Sequence, residues 1–413
     1  MSSSSGSGET SVDVADLAVE VAVIGAGPAG LTAAIALAAA GVETALIAKA
    51  GEPDYRTTAL MSGSVAALEA LDVWPGCCDQ AAALEVMRIV DDRPGLLRGP
   101  EVAFDAQEIG LPAFGYNIEN RHLIAALDAR IRELPALRRT EGIGQSIVVD
   151  GERACIQLVN GREVRARLII GADGRNSICR KAAGITVESW AYPQTAIALN
   201  LRHTRSHRNA STEFHTPDGP FTLVPLPGER SSLVWVSTPA RAAALMEMDD
   251  AALSDEVERQ SHSILGKVTV EPRRGTFPLA MQTVKQFGSG RIALIGEAAH
   301  VIPPIGAQGL NLGLRDAATI AEIVIEARRI GEDAGAPDVL TRYDRLRRAD
   351  VGTRTLAVDL LNRSLLSDFL PLQGLRGLGL YALDRIGPLR RAVMREGVTP
   401  RTSEPRLMRG EAL

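Results

Sequence analysis

Three glycine-rich runs hold the residues whose types and spacing could do chemistry. The first is Gly25-Ala26-Gly27-Pro28-Ala29-Gly30. In a G-x-G-x-x-G run the first glycine permits a tight turn. The second lets backbone approach a pyrophosphate, and the third allows close helix–strand packing. A helix starting there offers free N–H groups to phosphate, which adds Pro28 and Ala29 to the candidates. The second run, Gly171-Ala172-Asp173-Gly174, puts Asp173 as an acceptor at the carboxyl edge of a strand, where ligands bind in such sheets. The third, IGEAAHVIPPIGAQGLNLGLRD over Ile295 to Asp316, contains Glu297 and His300 but no serine, cysteine or lysine nucleophile. Gly306 and Gly309 free its backbone ahead of a helix. Gln308, Gly309, Leu310 and Asn311 would then present successive N–H groups to negative charge. Each run also has a bland reading: a glycine turn, an Asp-Gly turn or a proline-stiffened connector. The runs together favour binding, because a strand precedes the first and a helix follows it, as a dinucleotide motif demands.

The elements that must position these runs are legible in outline. VEVAVIGAG reads as a buried strand, Pro28 to Ala40 as a helix stopped by Gly41, and ETALIA as the next strand. That is a β-α-β unit. At the end of its second strand, where an acid is expected to bind ribose hydroxyls, stands Ala48. A short helix is expected around Ser64–Leu71 and another over Arg121–Leu134. The DGE and NGR turns between residues 146 and 174 mark hairpins. FTLVPLPGERSSLVWVS reads as two strands about a tight turn, within an antiparallel region over 185–285. RIALIGEAA is again a buried strand, and Ala307–Arg329 and Asp338–Leu366 read as long helices. The expected fold class is α/β: a discontinuous Rossmann-like domain with an inserted, mainly antiparallel β-sheet domain and C-terminal helices. The expected boundaries are a disordered tail over 1–17 and a nucleotide-binding domain over 18–75, 114–184 and 286–345. A substrate-binding sheet domain would span 76–113 and 185–285, and a helical region 346–413.

Composition narrows the partners. The 413 residues carry 45 basic and 50 acidic side chains and 4% aromatics, so nucleic acid is not expected. Cys77, Cys78, Cys155 and Cys179 lack metal-site spacing and read as reduced thiols. No metal site is expected. His203 and His207, flanked by arginines in RHTRSHR, read as surface residues. Val19 to Val42 is nearly apolar, but Gly25, Gly27, Pro28 and Gly30 interrupt any spanning helix, and residues 1–18 lack the basic charge of a signal peptide. The expected location is cytoplasmic. The stretch Arg363–Val398 is leucine-rich with six arginines against three acids. It reads equally as an amphipathic surface docking on anionic inner membrane and as helices capping the catalytic domain.

The three runs, in this order, resemble those of the FAD-dependent aromatic monooxygenases of the para-hydroxybenzoate hydroxylase type. In that family G-x-G-x-x-G binds the ADP half of FAD, and a G-D-A-A-H…P…G-Q-G-x-N-x-G-x-x-D run holds the ribityl chain and flavin ring. GEAAHVIPPIGAQGLNLGLRD departs from it in Glu297 for Asp, and in Gly306-Ala307 where the family usually has Ala-Gly. More narrowly, RTTALMSGSVAALEALDVW, FGYNIENRHLIAAL, FHTPDGPFTLVPLPGERSSLVW and Leu361-Asn362-Arg363 are similar to segments of the ubiquinone-biosynthesis hydroxylases. The resemblance spans about residues 19–400. It implies Arg56 and Arg121 as FAD contacts beside Gly25, Gly27, Pro28, Ala29, Gly30, Asp173, Glu297, Gln308, Gly309, Leu310 and Asn311. It implies NADPH or NADH as co-substrate and O2 and a prenylated phenol as reactants, the ring being hydroxylated by a C4a-hydroperoxyflavin. The hard chemistry then belongs to the flavin, which explains the missing nucleophile. No general base for the phenol is identified. No second G-x-G-x-x-G calls for a separate nicotinamide fold. Open alternatives are a flavin-dependent reductase of a prenyl chain, another small-aromatic hydroxylase, and an FAD-binding scaffold within a quinone-synthesis complex.

Overall fold

In the computed structural model the described residues are 16–49, 51, 53–93, 100–304, 306–366, 379, 381–398 and 404–413. The first sheet draws its strands from three separate parts of the chain. Its order is Gly288–Ser289, Ile292–Leu294, Glu163–Gly171, Leu17–Ile24, Thr44–Ala48 and Leu137–Glu141. The four pairings from Ile292–Leu294 to Leu137–Glu141 are parallel, and Gly288–Ser289 is an antiparallel edge. The strands Gly144–Asp150 and Arg153–Leu158 form the expected meander into Glu163–Gly171. Val21, Ala22 and Val23 are wholly buried, as a parallel strand covered on both faces requires. The helix Pro28–Ala39 is buried along most of its length and packs on the helix Gln308–Arg329. This is the Rossmann-like half of the expected fold.

The second sheet has eight strands, in the order His300–Val301, Val268–Val284, Val187–His203, Arg230–Ser237, Gly219–Leu226, Ala210–Thr216, Val86–Asp91 and Val102–Asp105. All its pairings are antiparallel except that of Val86–Asp91 with Ala210–Thr216. Side chains alternate between its faces. Ile197, Leu201, Phe214, Phe221 and Trp235 pack beneath it with Leu253 and Val257, while Ala198, Asn200, Ser232, Val234, Thr222 and Glu213 face a large cavity. A third sheet joins Thr57–Met61, Gly115–Glu119 and Ala81–Ala83.

Four expectations need correction. The region 185–285 is not only sheet: Pro239–Glu247 and Asp250–Gln260 are helices, capped by the Thr238 and Asp249 side chains. Their proline and acidic starts are ordinary helix signals. The strand Leu137–Glu141 was not expected. It closes the outer edge of the first sheet with arginines outward and only Leu137 and Thr140 buried, too weak an alternation to announce itself. His203 is not a surface residue: it is buried, with Nε2 3.0 Å from Ser231 Oγ, and burial holds its imidazole below its ordinary pKa. At the N-terminus the first strand takes in Leu17, and the rest of the expected tail, up to residue 15, lies outside the described residues. Both long C-terminal helices appear, as Gln308–Arg329 and Pro337–Leu366, and Gly387–Val398 follows. Among the described residues no helix is long and apolar enough to cross a membrane.

Candidate functional site

A cavity of about 1400 Å3 lies between the first and second sheets. That exceeds the roughly 300–1,000 Å3 of a typical small-molecule pocket, so two ligands can share it. Of the residues singled out above, Gly27, Pro28, Ala29, Gly30, Arg56, Arg121, Glu297, Gln308, Gly309 and Leu310 line it, and Gly25, Asp173 and Asn311 do not.

The first glycine run divides its labour as its spacing implies. Gly25 has φ +114°, and a Cβ there would stand 2.2 Å from the Ala172 carbonyl oxygen. A Cβ on Gly30 would stand 2.1 Å from the Gly25 oxygen. These contacts weld the loop to the strand end at Ala172. Gly27 meets nothing within 4 Å on its cavity side, which is the open approach a phosphate needs. The helix that follows has no side-chain cap and no acidic residue in its first turn. Its positive end is therefore left for a ligand.

Asp173 is used differently from expectation. Its carboxylate accepts from Ser177 Oγ (2.6 Å), Ile178 N (2.7 Å) and Cys179 N (3.2 Å). It caps the short helix Ile178–Ala182 instead of facing the cavity, which Ala172, Gly174 and Arg175 line in its place. Arg180, behind it, donates to the Ala298 and Arg175 carbonyls and so ties the second run to the third.

The third run is held by buried charge. Asp316 is fully buried and accepts from Gly296 N (2.8 Å), His300 Nε2 (2.7 Å) and Arg347 Nε (2.6 Å). Burial alone would raise its pKa. The facing His300 and Arg347 overcome this and leave the carboxyl below its ordinary value. Asn311, expected at the cofactor, lies under the loop: it accepts from Met61 N and Ser64 Oγ and donates to the Ala59 and Ala307 carbonyls. It fixes the loop to the strand Thr57–Met61. The helix Gln308–Arg329 also starts without a side-chain cap or an acidic first turn, and Gly309 meets nothing within 4 Å on its open side. Ala307 stands just before it at φ +54°, the left-handed region that glycine prefers.

Arginines and carboxylates ring the cavity. Arg56 grips both oxygens of Asp54, which also accepts from Asn120 Nδ2, and lies over the Phe277 ring. Burial pushes Asp54 up, but its bonds to Arg56 and Asn120 and the Arg56 charge bring it below the usual carboxylate range. Arg121 donates to Glu119 and lies over Tyr55. Arg230 bridges Glu119 and Glu271 at 2.8–2.9 Å. Glu297 sits 3.4 Å from Arg175. Sequence reasoning missed Asp54, Asp316 and Arg347. The partners of Asp316 lie 16 and 31 residues along the chain, and no local pattern selects Arg347 from an arginine-rich helix.

Two uncapped helix starts opening on one cavity, with glycine faces bare of side chains, fit a ligand that is anionic at one end and develops negative charge at the other. FAD in its reduced form is such a ligand. The comparisons agree. The FAD binding domain family matches residues 18–357. A ubiquinone hydroxylase of Rhodospirillum rubrum is 35% identical over 97% of this chain and 94% of its own length. A 3-demethoxyubiquinol 3-hydroxylase of Escherichia coli is 34% identical over 91% of this chain and 97% of its own. Among solved structures, a p-nitrophenol 4-monooxygenase of Pseudomonas putida shares the fold with a TM-score of 0.77 at 20% identity, covering 94% of this chain and all of that one. With the family matched over most of its length, and with both hydroxylases aligned nearly end to end, this chain belongs to the FAD-binding family of FAD-dependent monooxygenases.

Proposed function

We propose that this enzyme hydroxylates the aromatic ring of a prenylated phenol in ubiquinone biosynthesis, consuming NADPH or NADH and O2. The carrying observation is the shape of the cavity. It runs from the two helix starts across the face of the second sheet to Leu84, Met87, Phe104 and Phe114, and on to Leu383, Val393 and Met394 near the C-terminus. Its lining offers polar groups to an aromatic ring and these apolar side chains to a long tail. FAD, when bound, supplies hydride acceptance and oxygen activation. The chain's own residues bind and orient. Gly25 to Gly30 and the helix start at Pro28 hold the pyrophosphate, and Arg56, Arg121 and Glu297 contact the cofactor at the rim. The N–H groups of Gly309 and Leu310 stabilise negative charge on the reduced ring. Asp173 and Asn311 act from behind, by fixing the loops. The sheet over 185–285 serves as substrate platform, and its apolar wall excludes water.

The tail end also favours peripheral membrane docking. Tyr381, Ile386, Leu389 and Val393 are exposed beside Arg385, Arg391 and Arg395. Apolar anchors next to cations are what an anionic bilayer surface recruits. Val393 and Met394 line the cavity from the same helix, so a bilayer-resident substrate would have a short path in.

The test supplies FAD-loaded protein with NADPH or NADH, O2 and ortho-geranylphenol, and analyses the products by mass spectrometry. Addition of one oxygen to the ring is expected. A product reduced in its prenyl chain, or nicotinamide oxidation without any oxygenated phenol, overturns the reading.

A further inference from the structure

Five carboxylates line the cavity among the described residues: Asp54, Glu119, Glu213, Glu271 and Glu297. Four are ion-paired to arginine. Glu213 is not. Its oxygens accept from His215 Nε2 at 2.8 Å and from Thr222 Oγ1 at 3.2 Å. The difference is chemical. A guanidinium never gives up its proton and holds its carboxylate ionised, as the lowered Asp54 and Glu119 carboxyls show. An imidazole exchanges a proton near neutral pH. A carboxylate has roughly four acceptor positions, so two donors leave Glu213 free to accept a third hydrogen bond from a ligand.

Its setting suits that use. Glu213 projects from the sheet floor between Ile89 and Thr222, its neighbours in register, with Val234 beyond. His215 stands behind it, buried, and His215 Nδ1 has no hydrogen-bond partner. The charged groups on the adjoining strand Val86–Asp91 are Arg88, which pairs with Glu101 at 3.0 Å, and Asp91, the register partner of His215. The other adjoining strand, Gly219–Leu226, carries no charge.

We propose that Glu213 is the catalytic base that takes the ring-hydroxyl proton of a phenolic substrate, with His215 as the positioning residue behind it. The proposal rests on the ring-hydroxylation reading above. In the step, the phenol O–H bond breaks, its electron pair stays on oxygen, and the proton bonds to a Glu213 carboxylate oxygen. The ring, now bearing a phenolate, is richer in electrons for attack on activated oxygen. Return of the proton to the product's oxygen restores the carboxylate, and the step consumes no oxidant or reductant.

The experiment compares FAD-loaded wild type with Glu213→Gln, using ortho-geranylphenol and its methyl ether. At neutral pH, ring hydroxylation in the variant falls by about 10²-fold or more. It recovers as pH rises toward the phenol's own ionisation, because solvent then removes the proton. The wild type binds the phenol in preference to the ether by about tenfold, the value of a hydrogen bond to a charged acceptor, and the variant loses most of that preference. Full hydroxylation at neutral pH, or a loss that alkaline pH does not repair, overturns the proposal. A wild type that prefers the phenol over the ether yet forms no oxygenated product sinks the ring-hydroxylation reading while leaving the Glu213 contact standing. Should Glu213→Gln not fold, Glu213→Asp withdraws the charge by one methylene; it must lose hydroxylation with the same alkaline recovery, and undiminished turnover there overturns the assignment.

Discussion

The helices Pro28–Ala39 and Gln308–Arg329 both open uncapped onto the same cavity, yet they are held in place by different physics. The first start is fixed by contact. Gly25 and Gly30 bring backbone within van der Waals distance of Ala172, and no side-chain hydrogen bond caps the helix. The second is fixed by long-range polar bonds, from Asn311 to Ala59, Met61 and Ser64, and from Asp316 to Gly296, His300 and Arg347. A contact lock is stiff and insensitive to pH. A polar lock is as strong as its buried charges are complete, and it fails when one of them is removed or neutralised.

The sharpest way to break this comparison is Asp316→Ala. It leaves the buried His300 Nε2 and Arg347 Nε without their acceptor, Arg347 keeping only Asp350, and frees Gly296, at a cost of about 3–5 kcal/mol. Thermal unfolding of the purified variant measures it, and a loss below about 1 kcal/mol would show that the lock is not ionic. The pH dependence follows from the lowered Asp316 carboxyl. With the folded pKa below the unfolded one, the unfolded chain binds more protons at acid pH. This stabilisation is therefore fully present above about pH 4, the unfolded value, and is lost as pH falls through the folded pKa. Asp316→Asn should flatten that part of the acid limb.

The contact lock is tested next by Gly30→Ala. The added Cβ would sit 2.1 Å from a backbone oxygen and 2.9 Å from Ala172 Cβ, so the loop must move. Overpacking of this kind costs about 1–3 kcal/mol and displaces the Gly27 face with it. The expected result is a lowered melting temperature at all pH values, together with weakened FAD retention. An unchanged melting temperature would show that the loop is looser than the contacts imply.

The same difference decides how much could be read from the sequence. At the first helix the glycine spacing is itself the mechanism, so Gly25, Gly27 and Gly30 could be assigned roles in advance, and the strand–helix–strand unit with them. At the second, the backbone part was legible: a glycine-freed helix start at Gln308 and Gly309. The side chains were not. Asn311 looked like a ligand contact because its polar amide sits among glycines, but three of its four bonds go to Met61, Ser64 and Ala59, which only the fold brings near. Asp173 misled for a different reason: its partners Ser177, Ile178 and Cys179 lie only four to six residues downstream, at the start of a short helix that the Asp-Gly turn did not announce. The helices Pro239–Glu247 and Asp250–Gln260 were hidden by strong strand signals on either side. Glu213 and His215 follow an ordinary strand alternation, and nothing local marks that this strand faces a cavity.

A finer test asks whether the two bare faces are equivalent. Gly27→Ala and Gly309→Ala each add a methyl group into open space at a backbone conformation that alanine adopts, so neither should lower the melting temperature of FAD-free protein, and a rise equivalent to about 0.4–1 kcal/mol is expected. Both should weaken FAD binding, by roughly tenfold or about 1.4 kcal/mol, as followed by quenching of flavin fluorescence. A variant that binds FAD with undiminished affinity would remove its helix start from the cofactor site and leave the other as the sole anion-binding end.

The smallest effect concerns the one residue where the polar lock carries strain. Ala307 holds φ +54°, ψ 32° at the N-cap of Gln308–Arg329, and its carbonyl accepts from Asn311 Nδ2 at 2.6 Å. The left-handed conformation costs an L-residue with a Cβ about 1–2 kcal/mol. Glycine relieves this cost but adds about 0.4–1 kcal/mol of unfolded-chain entropy. Ala307→Gly should therefore stabilise the protein by about 0.5–1 kcal/mol net, seen as a rise of a degree or two in melting temperature. If the variant instead destabilises, the Asn311 bond does not hold Ala307 in its left-handed state, and the Gly306-Ala307 order is no source of strain. If it stabilises while the FAD affinity is unchanged, the strain is borne by the loop alone. A gain in stability with a loss of FAD affinity would mean that Ala307 stiffens the loop in its ligand-ready shape, a stiffness that the first helix start obtains from contact with Ala172.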